Sequence, residues 1–519
     1  MSLYSYHVFM FPFQWELKNG KEKAFSERFN LSNLRSSNGS QWENMAVPVG
    51  EDYQTELYNE KNFFYKFVHK ALYDNGNEQH PVIRHYERKE AYNGGLEYEI
   101  GVKAKQENIY KLKVKSIGLD LFSTGTGIVI FYLENHNYQS LEDVIRINQF
   151  GRRIFPPFLT KDKGVEGTKD FELANYICIN GLSGEPHRYY EDFSAYSIQQ
   201  PWTEARFITS LIEDFNKAID PEPVIDDRMF TMCWYLNNEL GAEIKDERRY
   251  CKFVRSDKWH EFLYIDSDGS TCQNQRMQKE LLQQHTYPRW QKQGTLYGIT
   301  RHSFMAISFE GWFPENILLS YFRTIYVRIA ELVLLQRASV LKFSSEVTRL
   351  STLEDKKKQT LADEIDKFYK AYIRFVNQIY FREITTQEQG IDLYDRLMDS
   401  MRIKDQVKDL DNEIEELHNY ATLLDDKAQS NSLSLLTVLG SLFLAPSFIV
   451  GFFGMNLIPE DIDKTKMLWI IISVVILIAS GLIGIVWFNK NGKKKASYFL
   501  IGFISLLAIM AMLFSLIHL

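Results

Sequence analysis

Several hallmarks of enzymes and of nucleic-acid-binding proteins are missing from this sequence. Its 519 residues include only four cysteines, with no Cys-x-x-Cys pair and no metal-ligand spacing. There is no Walker loop, no Gly-x-Ser-x-Gly elbow and no His-Glu-x-x-His zinc motif. A net charge of -7 argues against general nucleic-acid binding. We therefore expect a protein that is not an enzyme, keeps its thiols reduced and does not bind nucleic acid directly.

A secretory signal is also missing. The stretch Met1 to Met10 has no Lys or Arg ahead of its apolar residues, and Gln14, Glu16 and Lys18 soon follow. The amino-terminal part is therefore expected to stay in the cytosol.

Long apolar runs dominate the carboxy-terminal part of the chain. Ser432 to Phe453, Met467 to Phe488 and Ser497 to Leu519 contain no Asp, Glu, Lys or Arg. Each can cross a bilayer as a helix, because about 20 residues span a hydrocarbon core of ~30 Å. The basic segment 490–495 follows the second run, and the positive-inside rule places it in the cytosol. We predict a multi-pass membrane protein.

Small and polar residues mark one stripe of the first run, including Thr437, Ser447 and Gly451. Such a stripe faces other protein or water, and tight helix packing alone would explain it. Gly454-Met455-Asn456 at the end of the run suggests an ion-binding role in addition to helix packing. Gly454 lets the backbone turn, and Asn456 offers a neutral amide oxygen that several copies can gather into one ring. Such a ring suits hydrated Mg²⁺, which gives up its water reluctantly.

Leu436-Thr437, Leu442-Phe443 and the run Ser447 to Asn456 resemble the pore helix and signature of the CorA magnesium channels. The resemblance implies a homopentamer in a bacterial inner membrane, with Gly454, Met455 and Asn456 as the selectivity filter and Mg²⁺ as the bound and transported ion. It also implies pore-lining and gate positions, which are Ser430, Leu433, Leu436, Thr437, Leu444, Ser447 and Gly451. Several positions depart from the usual types, such as Ser447 where the family more often has Thr.

The rest of the chain is interpreted as an α/β or α+β cytosolic domain with a largely antiparallel sheet, followed by helices. Strands are predicted from Leu3 to Trp15 and from Tyr297 to Ser308, and a helix from Thr203 to Ile219. A long helix is predicted from Ile391 without a breaker to Gly440, and it forms a stalk with a heptad seam. The seam residues are Val407, Leu410, Ile414, Leu417, Ala421, Leu424 and Ala428.

These patterns divide the chain into six predicted parts. They are an enlarged ligand-sensing domain at 1–313, a helical region with the stalk at 314–431, the pore span at 432–453, the signature and external loop at 454–466, the second span at 467–488 and a third span at 497–519.

The enlarged domain suggests a ligand other than Mg²⁺. Arg152-Arg153, after Gly151, offers two forked guanidinium groups to a phosphate, although salt bridges explain a single pair as well. Asp220, predicted at a helix end before Pro221, suits an amine or a ribose hydroxyl, or forms only a turn.

The opening Tyr4 to Phe13 and the Phe150 to Arg153 element resemble the CorA-like membrane effectors of type III CRISPR systems. That resemblance implies gating by a nucleotide second messenger, an adenylated S-adenosylmethionine, and membrane damage in an infected cell. An ordinary Mg²⁺ uptake channel remains the alternative, and a membrane-anchored scaffold without conduction is a third.

Overall fold

The computed structural model describes residues 3–18, 28–32, 34–37, 39–45, 60–74, 80–92, 94–102, 108–155, 173–184, 187–193, 204–225, 227–352 and 358–454. Within these ranges, the side chains of 92, 358–360, 425, 428, 431, 438 and 441–454 are not described. Contacts divide the chain into two units, Met1–Ala421 and Thr422–Leu519.

Thirteen strands of the described residues form one sheet. They are β1 Ser5–Leu17, β2 Trp42–Asn44, β3 Ile83–Arg88, β4 Glu97–Val102, β5 Asn108–Phe122, β6 Thr126–Asn135, β7 Tyr176–Asn180, β8 Tyr190–Asp192, β9 Ile219–Pro223, β10 Phe230–Leu236, β11 Thr286–Tyr287, β12 Leu296–Ile299 and β13 Ser303–Ser308. The main order is β11-β12-β13-β10-β1-β6-β5-β4-β7-β8. Only the β10–β13 pairing is parallel, so the prediction of a largely antiparallel sheet is confirmed.

Two long strands organise this sheet. The first half of β1 pairs with β10, its second half pairs with β9, and β6 runs along its other edge. In the same way, β5 pairs with β4 through its start and with β3 through its end. Because the long strand β1 pairs with two shorter strands, residues far apart in sequence meet along it.

Thirteen α-helices accompany the sheet in the described part of the chain. They are α1 His69–Leu72, α2 Lys89–Tyr92, α3 Leu141–Gly151, α4 Arg206–Phe215, α5 Asn238–Lys245, α6 Glu247–Phe253, α7 Asp257–Tyr264, α8 Gln275–His285, α9 Leu319–Arg323, α10 Ile325–Ser351, α11 Lys358–Gln378, α12 Glu388–Ser400 and α13 Ile403–Gly454. The expected α/β domain followed by helices is therefore present.

Helices cover both faces of the sheet, because successive side chains of a strand point to opposite sides. On β10, Cys233 and Tyr235 belong to a buried cluster with α5–α8. The intervening Trp234 contacts Phe322 of α9, with ring centroids 5.6 Å apart. The strand is therefore largely apolar, with Thr231 as its polar exception, as expected for a strand buried on both faces.

Three sequence-based predictions are wrong at their boundaries. The helix predicted to Ile219 ends at Phe215, and Ile219–Pro223 is strand β9, because this segment pairs with β1. The segment from Tyr297 to Ser308 is a hairpin rather than one strand, closed where the Thr300 amide donates to the Ser303 carbonyl.

The uninterrupted stalk helix is the third correction. Helix α12 ends at Ser400 and α13 begins at Ile403, because Arg402 takes a left-handed conformation with φ 54°. Neither glycine nor proline marks the break. Met401 and Ile403 on either side are fully buried, so packing fixes the turn.

Candidate pore helix and ligand site

Four of the predicted pore positions lie on the described part of α13, and all four are exposed in the single chain. Leu433 and Leu436 expose 56% and 63% of their surface. The Thr437 hydroxyl donates to the Leu433 carbonyl, and the Ser434 hydroxyl donates to the Ser430 carbonyl, both at 2.8 Å. Their donors are used inside the helix, and the oxygen lone pairs remain as acceptors.

The remaining signature positions have little or no description. Gly454 is the last residue of α13. The side chains of Leu444 and Ser447, the surroundings of Gly451, and all of Met455, Asn456 and the predicted spans 467–488 and 497–519 lie outside what the structure describes. A search of the described helices finds none that combines the length and the apolarity of a membrane span.

The lower part of the predicted seam is buried within the chain, on the part of α13 that contacts α11. Val407, Leu410 and Ile414 are buried. Beside them, the Tyr372 hydroxyl donates to Asp411 at 2.5 Å, and the Tyr369 ring stacks on His418 at 4.2 Å. Asp411 and His418, beside the buried seam, therefore hold the start of α13 to α11.

The arginine pair lies at the end of α3, and both side chains are buried. Arg153 forms an ion pair with Asp227, and the Arg228 guanidinium lies 3.4 Å from the same carboxyl group. The Met229 amide donates to the Arg152 carbonyl at 2.7 Å, which joins the segments 152–154 and 227–229. The Asp227 carboxylate therefore pairs with the guanidinium groups of both Arg153 and Arg228.

Asp220 lies on a strand, not at the helix end that its predicted role requires. It is an exposed residue of strand β9, where it pairs with Glu16 of β1, and it does not end a helix. No contact described here brings its carboxyl group to Arg152 or Arg153. The structure thus supports no joint site for the three residues.

A buried charge network that the sequence analysis missed lies between the sheet and α10. The His85 imidazole contacts the Asp120 carboxylate and lies 3.3 Å from Glu87. Arg328 of α10 donates to Glu331 at 2.8 Å, and Glu331 hydrogen-bonds to Asp120. A charged residue inside the apolar run 329–335 is the signal that could have revealed it.

The protonation states of this network follow from burial and close charges. Burial favours neutral His85, but Asp120 and the hydrogen bonds to Asp120 and Glu87 raise the pKa of His85 to about 10. Burial and then the Asp120 charge raise the pKa of Glu331 well above its ordinary value. Burial opposes the shift at Asp120, yet His85 and the Glu331 hydrogen bond lower the pKa of Asp120. At neutral pH the network therefore holds a protonated His85 and an ionised Asp120, beside a Glu331 carboxyl that is shifted toward its neutral form.

Metal ligands do not cluster in the described part of the chain. No group of three or more His, Cys, Asp or Glu side chains there is placed to hold an ion. Of the acidic stalk residues, Asp411 is engaged by Tyr372.

The comparisons with known proteins bear on the helical end of the chain. No curated protein matches the sequence. Residues 318–495, which include α9 to α13, match the family model described as CorA-like Mg2+ transporter protein. This segment, about a third of the chain, is therefore similar to the CorA-like transporters.

Proposed function

We propose that this chain is a CorA-type membrane channel for divalent cations, with Mg²⁺ as its cargo. The observation that carries the proposal is the family match, which extends across α13 and the Gly454-Met455-Asn456 signature. Further support comes from the exposed Leu433 and Leu436, since apolar side chains on a membrane helix are covered by lipid or by other copies. No catalytic residue is part of the proposal.

In the proposed pathway, several copies of α13 surround water. A hydrated Mg²⁺ ion presents water hydrogens outward, and it therefore needs hydrogen-bond acceptors rather than donors. The Asn456 amide oxygen and the lone pairs of Ser434 and Thr437 meet that need. A neutral ring of oxygens holds the ion less tightly than a carboxylate ring would, which permits release.

Ion flux tests the channel. Full-length protein in vesicles that contain a Mg²⁺-sensitive dye should conduct, and Asn456→Ala should lose most of the flux or its selectivity. Asn491→Ala is the matched control, because it makes the same change away from the signature and should conduct normally. No flux from the unmodified protein would overturn the proposal and leave a membrane-anchored scaffold.

We further propose that residues 1–313 sense a nucleotide second messenger, an adenylated S-adenosylmethionine, and that the channel damages the membrane in antiviral defence. Support comes from the size of the sheet domain outside the family match and from the arginines at the end of α3. A phosphate that displaced the Asp227 carboxylate from Arg153 would receive forked hydrogen bonds there.

Calorimetry with the messenger tests this part. Because Arg153 is buried against Asp227, the informative variant replaces both, as Arg153→Met with Asp227→Leu, and leaves no lone buried charge. Binding by the unmodified protein and not by the variant supports the assignment. Equal binding by both overturns the role of Arg153, and no binding by either overturns the messenger.

An ordinary Mg²⁺ uptake channel is the second candidate, favoured by the description of the matching family. Rescue of a bacterial strain that requires added magnesium would support it. Failure to rescue, with the protein present in the membrane, would exclude it.

A further inference from the structure

Helix α6 and the residues after it form an exposed basic face. Residues 247–258 contain five Lys and Arg residues against two acidic ones, in a chain whose net charge is -7. All five cations are exposed, and within the described part of the chain none of them forms an ion pair. They are Arg248, Arg249, Lys252, Arg255 and Lys258. This face therefore carries positive charge that no neighbouring carboxylate takes up directly.

Packing fixes the direction in which the face points. Phe253 of α6 is buried in the cluster that also holds Tyr235 of β10, and Tyr250 packs against the same cluster. Arg248 and Lys252 are four residues apart and lie on the other side of the helix. Because α6 is held by its apolar side, these two cations point away from the sheet and into the solvent.

Helix α13 carries a face of the opposite charge. Residues 405–416 contain six acidic residues and one lysine. The buried seam takes one side of this stretch, and Asp409, Glu413 and Glu416, three or four residues apart, are exposed on the other side. Among the described residues, none of these three carboxylates has an ion-pair partner. The acidic face is therefore as open as the basic one.

The two faces lie on opposite sides of the sheet. Met305 of β13 belongs to the cluster that buries α6, whereas the ring of the preceding residue, Phe304, lies 6.1 Å from that of Tyr326 in α10. Helix α11 packs on α10 through Phe368 and Phe343, and α13 contacts α11. Helix α13 thus lies on the α10 side, and no ion pair of the described residues joins it to α6.

Opposite charges on two sides of one chain suit a ring of identical chains. In a closed ring, a surface of each copy meets a different surface of the next copy, so the two surfaces must be complementary. Opposite charges at such a contact fix its orientation and disfavour wrong pairings, whereas exposed ion pairs add little affinity. The two faces therefore have the properties of the two halves of one contact.

We propose that the basic face of α6 docks on the acidic face of α13 of a neighbouring copy. The contact rests on the proposed function only because a channel of this type requires several copies, and ion conduction does not enter into it. It assigns to α6 the task of holding the sheet domain of one copy against the stalk of the next.

Cross-linking between copies tests the contact. Cys251 is an exposed thiol of α6, and Glu413→Cys supplies a second thiol on the acidic face. A short bis-maleimide reagent should then join chains of the full-length protein in detergent into a ladder. The ladder should be lost when Cys251→Ser is added. Glu43→Cys, the same change at an exposed position of β2, should give none.

Charge exchange provides a second measurement. Arg248→Glu with Lys252→Glu places like charges opposite each other and should abolish the ladder of the Glu413→Cys protein. Asp409→Lys with Glu416→Lys, added to that variant, should restore it. The ladder should also weaken in concentrated salt, because the screening length falls from ~10 Å at 0.1 M to ~3 Å at 1 M.

The matched control reverses two other exposed cations. Arg276→Glu with Lys279→Glu makes the same change on α8 and should leave the ladder intact. A ladder that survives the reversal on α6 would overturn the docking, and so would its absence from a Glu413→Cys protein that native mass spectrometry shows to contain several copies. A protein that is a single chain and conducts no Mg²⁺ would overturn the proposed function together with this contact.

Discussion

His85 carries a proton at neutral pH in the folded chain, and burial shifts the Glu331 carboxyl toward its protonated form. Both side chains lie where α10 packs on the sheet, next to the Asp120 carboxylate. Each group releases its proton more readily in the unfolded chain, where the ordinary values are 4.5 for Glu331 and 6.5 for His85. The folded chain therefore binds more protons between these values and the raised ones, and its stability falls as pH rises.

This linkage gives the first prediction, which concerns the melting temperature. Between pH 6.5 and about 10 the contribution of His85 is lost as pH rises through its folded pKa, and the raised pKa of Glu331 acts in the same direction above pH 4.5. We expect the melting temperature of the detergent-solubilised chain to fall across this range. Glu331→Gln should show a shallower fall, because the amide still donates to Asp120 and takes up no proton.

The control for that measurement is Glu413→Gln on the exposed surface of α13, which should follow the unmodified curve. Identical pH profiles for Glu331→Gln and Glu413→Gln would show that Glu331 does not carry the linked proton.

The second prediction concerns Arg153, which is 4% exposed and paired with Asp227 at 7%. Arg153→Ala leaves the buried Asp227 carboxylate with only the partly exposed Arg228 at 3.4 Å, so it should lower the free energy of unfolding by up to about 3–5 kcal/mol. Arg153→Met with Asp227→Leu should lie closer to the unmodified protein, because the charge that loses its partner, Arg228, is partly exposed to water.

Chemical denaturation with fluorescence detection measures both. Arg276→Ala breaks an exposed pair with Glu280 and should change stability by less than about 1 kcal/mol. If Arg153→Ala were equally harmless, the Arg153–Asp227 pair would not be part of the stable core.

At the level of elements, the break between α12 and α13 should lower the stability of the fold by a measurable amount. A non-glycine residue in the left-handed region costs roughly 1–2 kcal/mol. Arg402→Gly should therefore raise the melting temperature of the full chain, provided that the exposed Arg402–Asp405 pair contributes little.

Arg402→Ala separates the two effects, because it removes the ion pair and retains the strained φ of 54°. It should be neutral or slightly destabilising. A gain in stability from alanine as large as that from glycine would contradict the backbone explanation.

The elements that could be predicted are those with a strong local pattern. Strand β1 and the β5–β6 hairpin follow from apolar, β-branched and aromatic runs, and α3 begins at the capping residue Ser140. The helices α5 to α8 were missed because they have only 7 to 11 residues, too few to show a clear helical period, and in α8 only Gln278 and Leu282 are buried. Their side-chain caps, at Asn237, Asp246, Ser256 and Asn274, were the available signal.

The residues of the candidate sites, too, could be predicted only where a local sequence pattern marks them. The exposed acceptors of α13 follow from spacing along one helix, whereas the burial of Arg153 depends on Asp227, which is 74 residues away in sequence. The Asp120–Glu331 contact likewise joins a strand to a distant helix. Local patterns carry no information about such partners, because tertiary packing decides them.

The whole molecule is expected to act as an assembly of identical chains, with five copies implied by the resemblance to CorA channels. A Cβ added at Gly440 of α13 meets nothing within 4 Å in a single chain. Membrane helices approach one another closely at such small residues. We therefore predict that Gly440→Leu, harmless in one chain, prevents assembly.

Native mass spectrometry of the full chain in detergent measures this outcome. The unmodified protein should give five copies, and Gly440→Leu should give fewer. Gly440→Ala adds only one methyl group and is the control that should remain assembled. Five copies and normal flux from Gly440→Leu would show that chains do not meet closely at this position.

The double pairing of β1 determines when the sheet can be completed during synthesis. Its neighbours β9 and β10 leave the ribosome about 200 residues after it, so until then only β6 can cover one of its edges. An apolar strand with an open edge is prone to aggregation, and such long-range pairing is slow. We therefore expect newly made chains to need chaperone protection until residue 236 has emerged, well before the apolar runs reach the translocon.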